Sequence, residues 1–213
     1  MTDLVFLEPN KLGSEPFTTS DVIAAQAQIS YRSVQRMIER HENDLAEFGQ
    51  VRFQITPVKY ARGTNDKKIY QLNEQQATLL ITYLKNTPPV RQFKKDLVQE
   101  FYRMRRELTR RQIFRDAGKP IRRTLTDAIR DSGEDGRMHG HAYGTYTDLA
   151  YKAATGKIAR ILRKERGASA KAIATDFLTS DELSAYNKAE ERLTVLLDMG
   201  LTYDQIKTLL LVQ

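Results

Sequence analysis

The chain of 213 residues contains no cysteine and only three histidines. The absence of thiols excludes disulfides, thiolate nucleophiles and cysteine-ligated zinc, and it fits a reducing compartment. No apolar run approaches the roughly 20 residues that a membrane-spanning helix needs. The first ten residues, MTDLVFLEPN, include acidic side chains and no basic segment, so we expect no secretory signal. We therefore expect a protein that is soluble and intracellular.

Sequence motifs that carry enzyme chemistry are also missing. The chain has no Walker phosphate loop, no GxSxG elbow, no HExxH and no dinucleotide fingerprint. His139-Gly140-His141 lies near Glu134 and Asp135, which is a metal-site composition, but its spacing in a glycine-rich segment defines no ligand geometry. A plain loop is the preferred interpretation of this segment. We expect no enzyme, no catalytic residue, no cofactor and no metal site.

The chain does carry an excess of basic residues, and that excess is uneven. The formal net charge of +7 comprises −4 in residues 1–50, +4 in 51–90, +6 in 91–115 and +1 in 116–213. The middle of the chain is therefore basic, residues 1–50 are acidic, and within the last window residues 172–213 are acidic too, with 3 basic and 7 acidic side chains. A basic zone attracts phosphates, although a run of charge is also typical of an ordinary solvated surface.

The first half of the chain has the pattern of a helix pair followed by a hairpin. Residues 21–28 favour a helix, and a second helix is predicted to open near Ser30 or Ser33. Val34 and Ile38 lie four apart, the spacing of one buried helix face. The turn between the helices lacks glycine, so this pattern alone identifies a helix-turn-helix only weakly.

After Gly49 the apolar period changes to two. Apolar and polar residues alternate over residues 51–56, which predicts a strand. Turn formers occupy residues 63–65, and a second strand is predicted over 68–72. A hairpin with a basic tip that follows a helix pair is the layout of a winged helix-turn-helix.

Helices are predicted for most of the remaining chain. Asn73 and Gln76 have capping-box spacing, and residues 90–114 form a long basic amphipathic helix. This helix is either a packed stem of the domain or a dimerisation stripe. Residues 131–146, rich in glycine, are predicted to form a loop.

The C-terminal residues favour three further helices. Residues 147–166 are predicted to form a basic helix that Gly156 weakens or interrupts. Thr179 with Glu182 predicts the start of the next helix, and Thr202 with Gln205 the start of the last.

These elements predict a mainly α fold with a small β-hairpin. A winged helix-turn-helix-like N-terminal domain would occupy residues 1–115. A linker is expected over 116–123, around Ala117-Gly118-Lys119-Pro120, and an all-helical C-terminal domain over 124–213.

Candidate DNA-binding residues cluster at the start of the second helix and on the hairpin. Arginine and glutamine at the start of a recognition helix contact base edges, and lysines on a wing contact phosphates. The acidic residues that follow, from Glu39 to Glu47, favour instead a solvated face over a core. The candidates are Tyr31, Arg32, Ser33, Gln35 and Arg36 on the helix and Lys59, Arg62, Lys67 and Lys68 on the hairpin.

Four segments of the N-terminal half resemble the phage regulatory protein Rha family. They are SVQRMI at residues 33–38, LAEFG at 45–49, KIYQLN at 68–73 and FKKDLV at 93–98. The resemblance covers about residues 18–108 and implies a prophage-encoded regulator of the lysis–lysogeny decision in the bacterial host cytoplasm. Residues 124–210 resemble the helical region that follows such domains in phage antirepressor-type proteins.

Two functions remain open at this point. The first is a transcriptional regulator that binds double-stranded DNA as a homodimer. The second is an antirepressor that binds a phage repressor protein and needs no DNA. In the second case the partner-binding residues would be the basic side chains Lys152, Lys157, Arg160, Arg163, Lys164 and Arg166.

Overall fold

The structure, a computed structural model, describes residues 3–7, 15–60 and 63–211. The chain divides into two compact units, Met1–Arg106 and Glu107–Gln213, which we call unit 1 and unit 2. Helices dominate both units, and three antiparallel strands form a small sheet in unit 1. The predicted fold class, mainly α with a small β-hairpin, is confirmed. Within the described ranges, no helix is long and apolar enough to cross a bilayer.

Unit 1 combines a helix-turn-helix with a β-hairpin. The central strand of its sheet pairs antiparallel with a short strand on one side and with its hairpin partner on the other. This arrangement is winged helix-turn-helix-like. In chain order the elements are β1 (Phe17–Thr19), α1 (Ser20–Ala27), α2 (Tyr31–Arg40), α3 (Glu42–Ala46), β2 (Arg52–Tyr60), β3 (Gly63–Asn73), α4 (Glu74–Tyr83) and the first part of α5 (Pro88–Asp131).

The core of unit 1 is built from one face of each helix and one end of the sheet. Val34 and Ile38 of α2 are fully buried, which confirms the inward face that their spacing predicts. Tyr70 and Leu72 of β3, two apart, point to the same side of the sheet and are also buried. Because α2 buries only this stripe, its other face is left for solvent or a partner.

Gln76 ties the start of α4 to the segment that enters the hairpin. Its backbone N–H donates to Asn73 Oδ1 at 2.8 Å, and its own Oε1 accepts from the Asn73 N–H at 3.1 Å, so the predicted capping box is confirmed. The buried Gln76 Nε2 also donates to the carbonyl oxygens of Gly49 (2.7 Å) and Leu45 (3.3 Å). These bonds fix where the chain leaves the core and β2 begins.

The hairpin extends beyond the core. The predicted strand at residues 51–56 is confirmed, but side chains on both faces of residues 52–57 are exposed, including Phe53 and Ile55. An alternating pattern usually marks a strand with one buried face. Here no helix covers either face of this stretch within the described residues, so Phe53 and Ile55 keep much of their surface exposed.

Residues 116–123, for which the sequence predicts a linker, are helical and lie inside α5. Pro120 removes the backbone bond to the carbonyl of Asp116, four residues earlier. Both residues are exposed, so this carbonyl is open to water and the break costs less than in a buried helix. The two units meet between residues 106 and 107, whereas the predicted N-terminal domain ends at 115.

Unit 2 is entirely helical in its described part. Its core packs the helix Ala142–Thr155 against the helix Ser180–Asp198, with Leu149, Leu193 and Ile206 buried. The predicted capping box at Thr179 and Glu182 is confirmed by bonds of 2.8 and 3.2 Å. Besides the remainder of α5, its elements are α6 (Glu134–Arg137), α7 (Ala142–Thr155), α8 (Ala159–Glu165), a short 3₁₀ helix (Ala174–Phe177), α9 (Ser180–Asp198) and α10 (Tyr203–Leu211).

One segment of unit 2 differs from the sequence prediction, and a second confirms a predicted interruption. Residues 131–146, predicted as a loop, contain α6 and the start of α7, because buried Glu134 accepts a hydrogen bond from Tyr146 Oη at 3.0 Å. The interruption at Gly156 that the sequence allowed in the basic helix over 147–166 is confirmed, and the segment forms two helices. Gly156, with a φ of 75°, ends α7 in the left-handed conformation that glycine favours, and α8 begins at Ala159.

Candidate nucleic-acid interface

The helix-turn-helix of unit 1 is closed by a tight turn without glycine. Gln28 adopts the left-handed conformation at the end of α1 with a φ of 54°, a position that glycine usually fills. Ser30 then caps α2, and its Oγ accepts a hydrogen bond from the Ser33 N–H at 3.1 Å. Ser30 is one of the two predicted starts of this helix.

The exposed face of α2 carries a row of arginines. Arg32 and Arg36 lie one turn apart, and both are exposed. Among the described residues neither guanidinium has a carboxylate partner, and Arg36 Nε donates a long hydrogen bond to the Arg32 carbonyl at 3.4 Å. Gln35, by contrast, is half-buried and donates to Glu39 at 3.0 Å. The arginines are therefore the readiest groups on this face to meet a phosphate or a base.

The hairpin contacts Tyr31, the first residue of α2, through a hydrogen bond and a cation–π contact. Tyr31 Oη donates a hydrogen bond to the carbonyl of Lys68 on β3. The Lys67 ammonium lies over the Tyr31 ring, 4.2 Å from its centroid, a cation–π contact worth about 0.5–1 kcal/mol at an exposed site. The structure thus brings Tyr31 together with Lys67 and Lys68, which follow it in the sequence by more than 35 residues.

A second connection runs from the hairpin to the middle of α2. The Lys68 ammonium lies 4.1 Å from the centroid of the Phe53 ring, and its hydrogen bond with Tyr70 raises the pKa of Lys68. Tyr70 Oη in turn donates to Glu39 Oε1 at 3.1 Å. Through Tyr70, this series of contacts connects Lys68 of the hairpin to Glu39 of α2.

Two of the predicted hairpin residues have no described side chain. Lys59 lies on β2 opposite Thr64, and the structure describes only its backbone. Arg62 lies outside the described residues. Their contact with DNA stays a prediction.

Three further residues of this surface were not among the predicted site residues. Arg40 extends the row of Arg32 and Arg36 by one more turn and is exposed. The spacing of four between these arginines is a signal that could have found it. Phe53 and Ile55 are 48% and 62% exposed. The sequence did not predict this exposure, because the alternation of apolar and polar residues is the same in a half-buried strand.

The predicted partner-binding residues of unit 2 fall into two groups. Arg166 binds Glu182 at 2.6 Å, Lys157 pairs with Glu165 at 2.5 Å, and half-buried Arg163 donates to the Ala172 carbonyl at 3.5 Å. These three cations are used within the fold. The exposed cations that have no carboxylate partner among the described residues are Lys152, Arg160 and Lys164.

The histidine segment shows no metal-site geometry. Among the residues that the structure describes, no group of three or more His, Asp or Glu side chains is placed to hold a metal ion. His139 has a φ of 51° in the turn between α6 and α7, and His141 is the residue before α7.

Comparison with known proteins finds one family model that matches part of the chain. Residues 18–106 match the family model described as phage regulatory protein Rha. This confirms the resemblance of the first half of the chain, and it covers almost the whole described part of unit 1. No curated protein matches the chain. The resemblance of residues 124–210 to antirepressor-type proteins stays a prediction.

Proposed function

We propose that this protein is a transcriptional regulator of phage development that binds double-stranded DNA through unit 1. The observation that carries the proposal is the row of unpaired arginines on α2 next to a hairpin whose lysines are fastened to the start of that helix. The Rha match of residues 18–106 supports a role in phage regulation, and we place that role in the lysis–lysogeny decision.

The geometry of unit 1 suits the two kinds of contact that DNA-binding proteins make, one with base edges and one with phosphates. The first turns of a recognition helix enter the major groove, where an arginine forms a bidentate contact with guanine. Arg32 and Arg36 occupy those turns and face outward. Phosphate contacts fix the register of the protein on the duplex, and the ammonium groups of Lys67 and Lys68 are suited to that task.

The proposal also bears on enzyme activity, cellular location and oligomeric state. Binding needs no catalysis, so we assign no enzyme activity, and the site of action would be the bacterial host cytoplasm. We expect a homodimer, because α5 exposes Val98 and Tyr102, four apart on one face, at 40% and 59%. Light scattering on the full chain measures this directly.

The test is fluorescence anisotropy with the full chain and the regulatory DNA of its own phage, at several salt concentrations. Arg32→Ala and Arg36→Ala should each weaken binding by about 1–3 kcal/mol if the arginine contacts a base. Lys67→Ala should lower the salt slope by about one if the lysine contacts a phosphate. Arg91→Ala, the loss of an exposed arginine from α5, is the matched control and should leave affinity within twofold.

Two results would count against DNA binding by this face. The first is no binding at low salt, where phosphate contacts are strongest. The second is equal affinity of the Arg32, Arg36 and Arg91 variants. In either case circular dichroism must show that the variants are folded.

An antirepressor function is the alternative. It is favoured by the exposed, unpaired cations of unit 2, Lys152, Arg160 and Lys164, which leave a basic surface open for a protein. The full chain should then co-elute with the phage repressor and release it from its operator. Replacing these three residues by alanine should abolish co-elution and leave DNA binding by unit 1 unchanged.

A further inference from the structure

Unit 2 contains a cavity of about 370 Å³ bordered by α5, α7 and α9. Small-molecule sites typically enclose about 300–1,000 Å³ and combine apolar walls with a few placed polar groups. The cavity has both features. Its apolar wall includes Phe114, Tyr151 and Tyr186, and its polar groups include Arg115, Lys119 and Glu190.

The inner polar group is the carboxylate of Glu190, whose side chain is 1% exposed. Its Oε1 accepts hydrogen bonds from Arg122 at 2.8 Å and from Tyr186 Oη at 2.7 Å. Its Oε2 has no hydrogen-bond partner among the described residues. A buried acceptor without a donor costs about 1–3 kcal/mol, so this oxygen favours a ligand that brings an N–H or O–H group.

Two tyrosines form a wall beside this carboxylate. The rings of Tyr151 and Tyr186 lie 4.5 Å apart between centroids and are nearly buried. Burial raises the pKa of Tyr151 to about 12, so its phenol stays neutral. A wall of this kind favours contact with a flat, aromatic ligand.

The outer polar groups are cations of α5. Lys119 is 70% exposed and pairs with Asp116 at 2.7 Å, while Arg115 binds Asp176 at 2.6 Å. The first pair is solvated and weak, and each cation keeps N–H groups beyond those its carboxylate uses. The cavity therefore has an acceptor at its buried end and donors with positive charge at its exposed end.

We propose that this cavity binds a nucleoside monophosphate whose base is guanine. The base would donate N–H groups to Glu190 Oε2 and contact the tyrosine wall, and the phosphate would bind Arg115 and Lys119. Guanine carries two adjacent donors, N1–H and the 2-amino group, on the edge that meets a carboxylate. Adenine has an unprotonated nitrogen at the equivalent ring position, which repels a carboxylate oxygen.

This inference concerns unit 2 and does not rest on DNA binding by unit 1. Isothermal titration calorimetry of the full chain, in the absence of DNA, tests it with GMP, AMP and inorganic phosphate as separate ligands. We expect saturable binding of GMP, at least tenfold weaker binding of AMP, and no saturable binding of phosphate. No heat with millimolar GMP, or equal affinity for GMP and AMP, would overturn the proposal.

Variants locate the site. Lys119→Ala removes an exposed side chain and should weaken GMP binding at least fivefold, whereas Lys188→Ala, the loss of an exposed lysine on α9 that does not line the cavity, should leave it unchanged. Glu190→Gln should reduce the preference for GMP over AMP. Because this change affects a buried ion pair, the variant is used only if its circular dichroism matches that of the original chain. Equal effects of Lys119→Ala and Lys188→Ala would refute the assignment of the phosphate end.

Discussion

Gly118 is a helical residue at which alanine should destabilise the protein, against the ordinary rule for helices. It lies inside α5, where that helix approaches α9. A Cβ added at Gly118 would lie 2.6 Å from Asn187 Oδ1, a distance that requires movement. Asn187 is 7% exposed, and its Nδ2 donates to the Phe114 carbonyl at 2.8 Å, so the amide cannot move away without losing that bond.

The expected magnitude follows from three terms. Replacing glycine by alanine inside a helix normally stabilises by about 0.5–1 kcal/mol. Loss of the Asn187 hydrogen bond costs about 1 kcal/mol net, and a displaced rotamer costs about 0.5–1.5 kcal/mol. The sum for Gly118→Ala is a destabilisation of about 1 kcal/mol.

Gly144→Ala is the matched control. Gly144 lies in α7 and is exposed, and a Cβ there would meet no atom within 4 Å. It should therefore stabilise unit 2 by about 0.5–1 kcal/mol. Urea denaturation of the full chain, followed by circular dichroism, should show midpoints that move in opposite directions for the two variants. Stabilisation by Gly118→Ala equal to that by Gly144→Ala would refute the close contact with Asn187.

Two further predictions concern buried polar side chains. Gln76→Ala should destabilise unit 1 by about 2–4 kcal/mol, because it removes a cap and leaves the Gly49 and Leu45 carbonyls without their donor. Urea denaturation measures this loss of stability. The control Gln75→Ala changes an exposed neighbour and should alter stability by less than about 0.5 kcal/mol. If Gln76→Ala destabilises the protein no more than this control, the role given to the Gln76 hydrogen bonds is wrong. Burial raises the pKa of Glu190, so the folded state holds its proton more tightly than the unfolded state, and stability falls as pH rises from the ordinary glutamate pKa through the raised value. Glu190→Gln should remove this part of the pH profile and Glu191→Gln, an exposed change, should keep it, whereas superimposable profiles of the two variants would contradict the shift.

The features that the sequence predicted well depend on residues close together in the chain. A capping box needs two side chains three residues apart, as at Asn73 with Gln76 and at Thr179 with Glu182. The buried face of α2 needs only the spacing of Val34 and Ile38. In each case the interaction is satisfied within one or two helical turns, so a local pattern determines it.

The features that differed depend on distant contacts or on exposure. The glycine-rich segment before α7 contains a helical turn in which buried Glu134 accepts a hydrogen bond from Tyr146 Oη. A local sequence pattern does not predict a buried carboxyl–phenol pair. Pro120 stays inside α5 because its face of the helix meets solvent. The contact of Tyr31 with Lys68 joins residues 37 positions apart, so sequence could propose both as site residues without showing that they meet.

Pairing within the fold changes which charges are available for binding. Residues 1–50 carry a net charge of −4, and a count of charge by segment would exclude them as a surface for a polyanion. In the structure, however, Arg32 and Arg36 share the outer face of α2, and Glu39 is occupied by Gln35 and Tyr70. Unit 2 shows the opposite case, because several of its arginines are bound to carboxylates of their own unit. The charge that a phosphate backbone would meet is therefore set by which side chains remain unpaired, and this favours the acidic-looking N-terminal segment over the more basic stretch of unit 2.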